Sequence, residues 1–297
     1  METPLKSLVS NRTEAVYDFE FVKALRELPW REWFEEEGRP LDCQEEYLDF
    51  YPKWIVSSEK NKFTGLEHFP FRTLVNGTTQ CFDEAYFRYK EKRLRIFRGE
   101  YAYHKRICTN FVFIEDEPIK ENDWIVVSTP FCSSGDIHPE FFNLLKQAQQ
   151  KNVPVIVDCA FFGTCTGINI DLSHPAITEV CFSLTKGLGL GDMRSGIRFS
   201  KTSDSYPIDQ QNKFKHNVLL TARIGLYMMK RFGPDHIVNK FSKHQESVCR
   251  DLGITPTPCM HIGLANKDEW PGDFLIDEKY CRIGLKHAVK SRSQGKV

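Results

Sequence analysis

Lys186 stands where an amine can do chemistry. It lies in "SLTKGLGLGDMRSG", Ser183 to Gly196, which puts four glycines, one lysine and one arginine into fourteen residues. The run before it, "EVCFS" (179–183), reads as a strand, so the lysine falls at a strand's carboxyl end. Desolvation and neighbouring cations favour the neutral, nucleophilic form of a lysine amine. Two phosphate-binding readings fail. A P-loop needs Gly-Lys followed by Ser or Thr, and none occurs. A dinucleotide fingerprint needs a helix after its glycines, whereas "SGIRFS" reads as another strand and the spacing is G-x-G-x-G.

A lysine amine can form a Schiff base with an aldehyde cofactor. Pyridoxal phosphate makes three further demands: a carboxylate for the pyridinium nitrogen, a phosphate cup, and an aromatic face for the ring. Asp158 ends the apolar run "VPVIVDCA" (153–160), where a carboxylate is costly unless a cation faces it. The cup is met by "NGTTQ", in which Gly77, Thr78 and Thr79 stand between a strand and a helix start, so that backbone amides can bind phosphate. Arg194 can add a bidentate contact and Ser183 a hydroxyl. Tyr101, in "GEYAYHK", offers the face. Singly, each has a plainer reading as a cap, a core ring or a surface ion pair. Jointly, in this order along the chain, they read as a site.

The elements that must position these residues alternate. Strands are expected at "FRTLVN" (71–76), "LRIF" (94–97), "NFVFIE" (110–115), "DWIVVS" (123–128), "VPVIVDCA", "EVCFS" and "GIRFS" (196–200), with helices at 79–92 and 137–151. That is an α/β domain with a mainly parallel sheet, whose ligand sits beyond the carboxyl ends of the strands. Residues 14–36 read as helical and 40–70 as irregular. The chain turns helical from about 207 to 233 and again over "DHIVNKFSKHQESVCRDLG". A strand pair, "DFLID" and "YCRIGL", and a frayed basic tail complete it.

Bulk properties narrow the class. The chain has 297 residues, with 40 basic and 40 acidic side chains, so no global positive field serves nucleic acid. Its longest apolar runs are far below the ~20 residues that span a bilayer. The N-terminus has no apolar signal core, and a cytoplasmic location is expected. Ten cysteines without CxxC or His spacing read as free buried thiols, and no metal site is expected.

The sequence resembles fold-type I pyridoxal-phosphate enzymes, the aspartate aminotransferase superfamily, and within it the class I/II, histidinol-phosphate-aminotransferase-like branch. "FSLTKGLGLGDMRSG" is similar to the family's F-S-x-S-K…R-x-G. "VDCAFFG" resembles its D-E-A-Y segment, and "PFCSSG" occupies the place of P-x-N-P-T-G. The resemblance implies a mostly parallel seven-stranded sheet flanked by helices, with a reduced small α+β domain. It implies an N-terminal segment at 1–70 serving the small domain and dimer interface, a cofactor-binding core at 71–205, a connecting helix at 206–235 and a trimmed small domain at 236–297. It further implies a homodimer, small amino-acid and 2-oxo-acid substrates, Arg282 on the substrate carboxylate, and Tyr51 in "FYPKW" as a phosphate- or substrate-contacting tyrosine. Two positions depart: Cys132 stands where the family has asparagine, and Phe161 where it has tyrosine. Both family residues donate to the cofactor's phenolic oxygen, so an unusual pH–absorbance profile is expected. The expectation is an aminotransferase working through a Lys186 Schiff base, with Lys186 and Asp158 catalytic. The alternatives are a lyase, decarboxylase or racemase using the same cofactor, or a non-catalytic descendant.

Overall fold

The computed structural model describes residues 4–203, 206–270, 276 and 280–297. In chain order the elements are α1 Phe19–Arg26, α2 Gln44–Val56, β1 Lys62–Thr64, β2 Phe71–Val75, α3 Thr78–Arg88, β3 Arg93–Ile96, α4 Ala102–Ile107, β4 Phe111–Phe113, β5 Asp123–Ser128, α5 Phe141–Gln150 and β6 Val155–Cys159. They continue with β7 Asn169–Asp171, β8 Ile177–Ser183, α6 Leu184–Gly187, β9 Gly196–Ser200, α7 Pro207–Lys213, α8 Leu219–Arg231, α9 His236–Leu252, β10 Thr255–Pro256, β11 Ile262–Asn266, β12 Tyr280–Gly284 and α10 Lys286–Ser293.

Seven strands form one sheet in the order β2-β9-β8-β6-β5-β3-β4. Its pairs are parallel except those made by β9, which runs antiparallel to both neighbours. All seven expected strands are present. The alternation of side chains builds two cores. Ile125, Val127, Val155, Val157, Val180 and Phe182 face one, while Trp124, Val126, Ile156 and Cys181 face the other with Cys81, Phe82 and Ala85 of α3. A sheet covered on both faces needs continuous apolar strands, and "VPVIVDCA" is one. Helix α3 is tied to the sheet by buried charge: Glu84 binds Arg88 and Arg198, and Arg88 also binds Glu179 of β8.

The ends of the chain depart from the sequence reading. Residues 40–70 contain the 13-residue helix α2, with Pro52 inside it. Its buried residues Tyr47, Tyr51, Trp54 and Ile55 follow helical spacing and anchor it in the core. The stretch 207–233 is two helices, separated around Lys215, whose φ is 56°. The basic tail is ordered as α10, which buries Ala288 and Val289. Strand β12 pairs with β11, itself unexpected, in a three-stranded antiparallel sheet; "DFLID" lies almost wholly outside the described residues. Ser10 exchanges backbone hydrogen bonds with Gly284 at 3.1 and 2.7 Å, joining the N-terminal segment to β12. All ten cysteines are free and nine are buried. Among the described residues no helix is long and apolar enough to cross a membrane.

Candidate active site

A cleft of about 670 Å³ opens beyond the carboxyl ends of the parallel strands. It is lined by Lys186, Asp158, Arg194, Thr78, Thr79, Tyr101, Cys132, Phe161 and Arg282. The sequence nominated every one of these residues.

Lys186 is presented by a tight turn. Ser183 ends β8 and caps α6, its hydroxyl accepting the Thr185 N–H at 3.3 Å. The turn is then pressed against the one that follows β6. A Cβ on Gly163, where φ is +84°, would lie 2.8 Å from Gly187 Cα, and one on Gly187 would lie 2.9 Å from the Phe162 carbonyl oxygen. Only glycines permit this approach, and it brings Lys186 Nζ to 4.9 Å from the Phe161 ring centroid.

Asp158 is 4% exposed and makes no ion pair with any described residue. Burial, reinforced by the Glu100 carboxyl, pushes its pKa up to about 7. The Ala160 N–H, Lys186 and the Thr78 hydroxyl oppose that rise only in part. The Ala160 N–H donates to Oδ1 at 3.0 Å. A buried acid that faces a cleft and makes no ion pair is satisfied by a cationic ligand.

The loop before α3 and Arg194 come together, and some of the nominated residues take other roles. Gly77 precedes α3 with φ 76°, and a Cβ there would meet Arg194 Nη2 at 2.6 Å. Arg194 donates to the Asn76 carbonyl at 3.3 Å and to Thr79 Oγ1 at 3.1 Å, pinning the loop. The amides that open α3 carry the partial positive charge of a helix start. Thr78 turns its hydroxyl to Asp158. Ser183 does not line the cleft: it is buried, and besides capping α6 its hydroxyl donates to the Ser195 carbonyl at 3.4 Å. Arg194 and Thr79 also border a second cavity of about 670 Å³, with Asn76 and Gln80.

Tyr101 caps α4, is 40% exposed at the cleft, and packs parallel to Tyr103 at 5.9 Å. Arg282 donates to the Cys132 carbonyl at 3.1 Å, while its buried Nε has no hydrogen-bond partner. Burial lowers its pKa from the usual guanidinium range, and guanidinium remains charged at neutral pH. The Cys132 thiol is pushed up by burial beside Glu100 and Asp158, so it stays protonated.

Tyr51 is a correction. It is fully buried, between Tyr47 at 5.5 Å and Trp54 at 5.8 Å, and does not line the cleft. The inward stripe of α2 takes the ring into the core, where a phosphate cannot reach it.

Several cleft residues went unnamed in the sequence: Glu100, Ser128, Arg12, Lys105 and Arg106. His261 is buried nearby, edge-on to Phe161 at 4.8 Å. Both its ring nitrogens lack hydrogen-bond partners, and burial beside Lys186 and Arg282 lowers its pKa to about 3. Glu100 had a signal, a lone acid immediately before Tyr101. For His261, which reaches the site from the turn just before β11, the sequence offered none.

No family model matches the chain, and no curated protein matches its sequence. Solved structures do match its fold. The PLP-bound C-S lyase from Staphylococcus hominis aligns over 96% of this chain and 89% of its own, at 12% identity and a TM-score of 0.64. Tyrosine aminotransferase from Leishmania infantum aligns over 93% and 88%, at 10% identity and TM-score 0.61. L-threonine-O-3-phosphate decarboxylase from Porphyromonas gingivalis aligns over 96% and 97%, at 12% identity and TM-score 0.59. The chain therefore has the fold-type I architecture shared by these lyases, aminotransferases and decarboxylases.

Proposed function

We propose that this chain is a pyridoxal-phosphate-dependent enzyme that acts on amino acids, and that its reaction is transfer of the amino group to a 2-oxo acid. The observation that carries the cofactor is the buried, unpaired Asp158, facing a cleft whose other corners are Lys186 and the Arg194-pinned start of α3. The donor set fits the group: a carboxylate for a pyridinium, an amine for an aldehyde, and helix amides with a guanidinium for a phosphate.

The cofactor, when bound, supplies an electron sink for the substrate's α-carbon. The chain supplies the rest. Lys186 would hold the cofactor through its aldehyde carbon, and its amine would serve as the general base and acid that moves a proton at the substrate α-carbon. Asp158 would keep a proton on the ring nitrogen. Arg194, Thr79 and the amides after Gly77 would hold the phosphate, and Tyr101 would supply the aromatic face for the ring. Arg282, with its free Nε, orients the substrate carboxylate. The family's homodimer and a cytoplasmic location remain part of this reading, with the phosphate contact supplied by a residue other than Tyr51.

A second reading keeps the cofactor and changes the outcome to elimination or decarboxylation. The replaced donors at Cys132 and Phe161 favour it, since they alter how the cofactor's phenolic oxygen is held. The test is to incubate the loaded protein with pooled amino acids, with and without a 2-oxo acid. Product formed only with the acceptor supports transfer; product formed without it supports the second reading. Neither product, with the near-visible spectrum unperturbed by any amino acid, would remove both.

A further inference from the structure

Within this cofactor reading, we propose that Glu100 is the second acid of the ring-nitrogen site, a positioning residue that governs when Asp158 ionises while it holds Tyr101 and Ser128 in place. Glu100 is 5% exposed, lines the cleft, and makes no ion pair with any described residue. Its Oε1 accepts the Tyr101 N–H at 2.8 Å and the Ser128 hydroxyl at 2.5 Å, and its Oε2 accepts the Ser128 N–H at 2.8 Å. It therefore joins the residue that faces the ring to the end of β5.

Ser128 is in register with Asp158 on the neighbouring strand β6, and the Thr129 N–H donates to the Asp158 carbonyl at 2.8 Å. Adjacent strands lie about 4.8 Å apart, so the residue gripped by Glu100 is the lateral neighbour of Asp158. The charged and titratable groups that face the pair are Cys132, Lys186 and Tyr101, with Cys159 and Cys181 beside Asp158 and Arg194 and Arg106 beyond Tyr101. Burial raises the Glu100 carboxyl, and Glu100 in turn raises Asp158.

Two neighbouring buried acids that make no ion pair resist joint ionisation. A cationic ring nitrogen at Asp158 would relieve both, so the site would hold that proton to higher pH than a single carboxylate would. Glu100 thus ties the geometry of the aromatic face to the electrostatics of the ring nitrogen, two tasks that the family motifs assign to separate segments.

The test is a carboxyl titration by 13C NMR on the full chain, first without added cofactor, with Asp158 assigned through Asp158→Asn. In Glu100→Gln the Asp158 ionisation constant should rise roughly tenfold, and Asp158→Asn should move Glu100 the same way. Glu100→Asp, which keeps the charge but retracts the contacts, should leave Asp158 near its original midpoint. Adding pyridoxal phosphate labelled at the ring nitrogen should then show that nitrogen deprotonating at lower pH in Glu100→Gln. An unchanged Asp158 midpoint in Glu100→Gln would overturn the proposal and leave Glu100 as a backbone tether. If that variant does not fold, an unchanged Glu100 midpoint in Asp158→Asn decides against it equally. Carboxyls that titrate as expected in a protein that takes up no cofactor would remove the cofactor reading while leaving the acid pair intact.

Discussion

Replacing Asp158 with asparagine should stabilise the cofactor-free protein at alkaline pH. Burial, reinforced by Glu100, pushes the carboxyl up to about 7 from an ordinary value of 3.8. Because the folded value is the higher, the folded state binds more protons than the unfolded state, and stability falls as pH rises. The cost is nearly absent near pH 4, grows through the interval up to about 7, and levels off above it. At roughly 1.4 kcal/mol per unit, three units amount to about 4 kcal/mol at pH 8 and under about 1 kcal/mol at pH 4. Asparagine can still accept the Ala160 N–H that meets Oδ1 at 3.0 Å, so little packing is lost. In a chain this long, 4 kcal/mol corresponds to an increase on the order of 10 °C in Tm. Calorimetry of the two proteins at pH 4.5 and pH 8 reads this directly. Saturating pyridoxal phosphate should reverse the order at pH 8, since only the carboxylate pairs with a cationic ring. An asparagine variant less stable than the parent at pH 8 without cofactor, or equally shifted at both pH values, would refute the account of Asp158 as an unpaired buried acid.

Other consequences follow from the same geometry. Gly77→Ala places a Cβ against Arg194 Nη2 at a positive φ, which should cost about 2 kcal/mol of stability and weaken cofactor affinity at least tenfold, read by spectral titration. Gly187→Ala forces the Lys186 turn off the Phe162 carbonyl; a loss of about 2 kcal/mol in urea unfolding is expected, with slower capture of the aldehyde. Arg282→Gln should leave the cofactor spectrum unchanged and lower kcat/KM on the order of 100-fold, because it removes about 3 kcal/mol of charged hydrogen bonding to the substrate carboxylate. Phe161→Tyr adds a phenolic donor beside Lys186, so the visible transition should move to lower pH; an unmoved transition would refute the role given to the missing donor.

Much of the sheet was legible because its strands are buried on both faces and read as unbroken apolar runs between turn residues. The site was legible for a related reason. Its residues sit at strand ends or helix starts, so a lysine after "EVCFS" or an aspartate after "VPVIV" stands out against apolar neighbours. Helix α2 was hidden by Pro52, although its 47, 51, 54 and 55 spacing was there to be read, and that omission made Tyr51 look available. The tail was read from its charge, yet Ala288 and Val289 bury one side of α10. Ser183 was read as a hydroxyl for the phosphate cup, whereas cap geometry takes that hydroxyl. His261 illustrates what lies beyond sequence reasoning. Only the packing of β11 against the turn after β6 brings a histidine from position 261 to Phe161.

The central claim is that Lys186 covalently holds pyridoxal phosphate, and one measurement reaches it directly. The purified protein would be mixed with the cofactor, reduced with borohydride, digested, and its peptides weighed beside those of Lys186→Ala. The account predicts a near-visible band abolished by borohydride and a phosphopyridoxyl mass on the peptide containing Lys186, absent from the variant. No band at any pH, or the same label on other lysines with Lys186 unmodified, would contradict it.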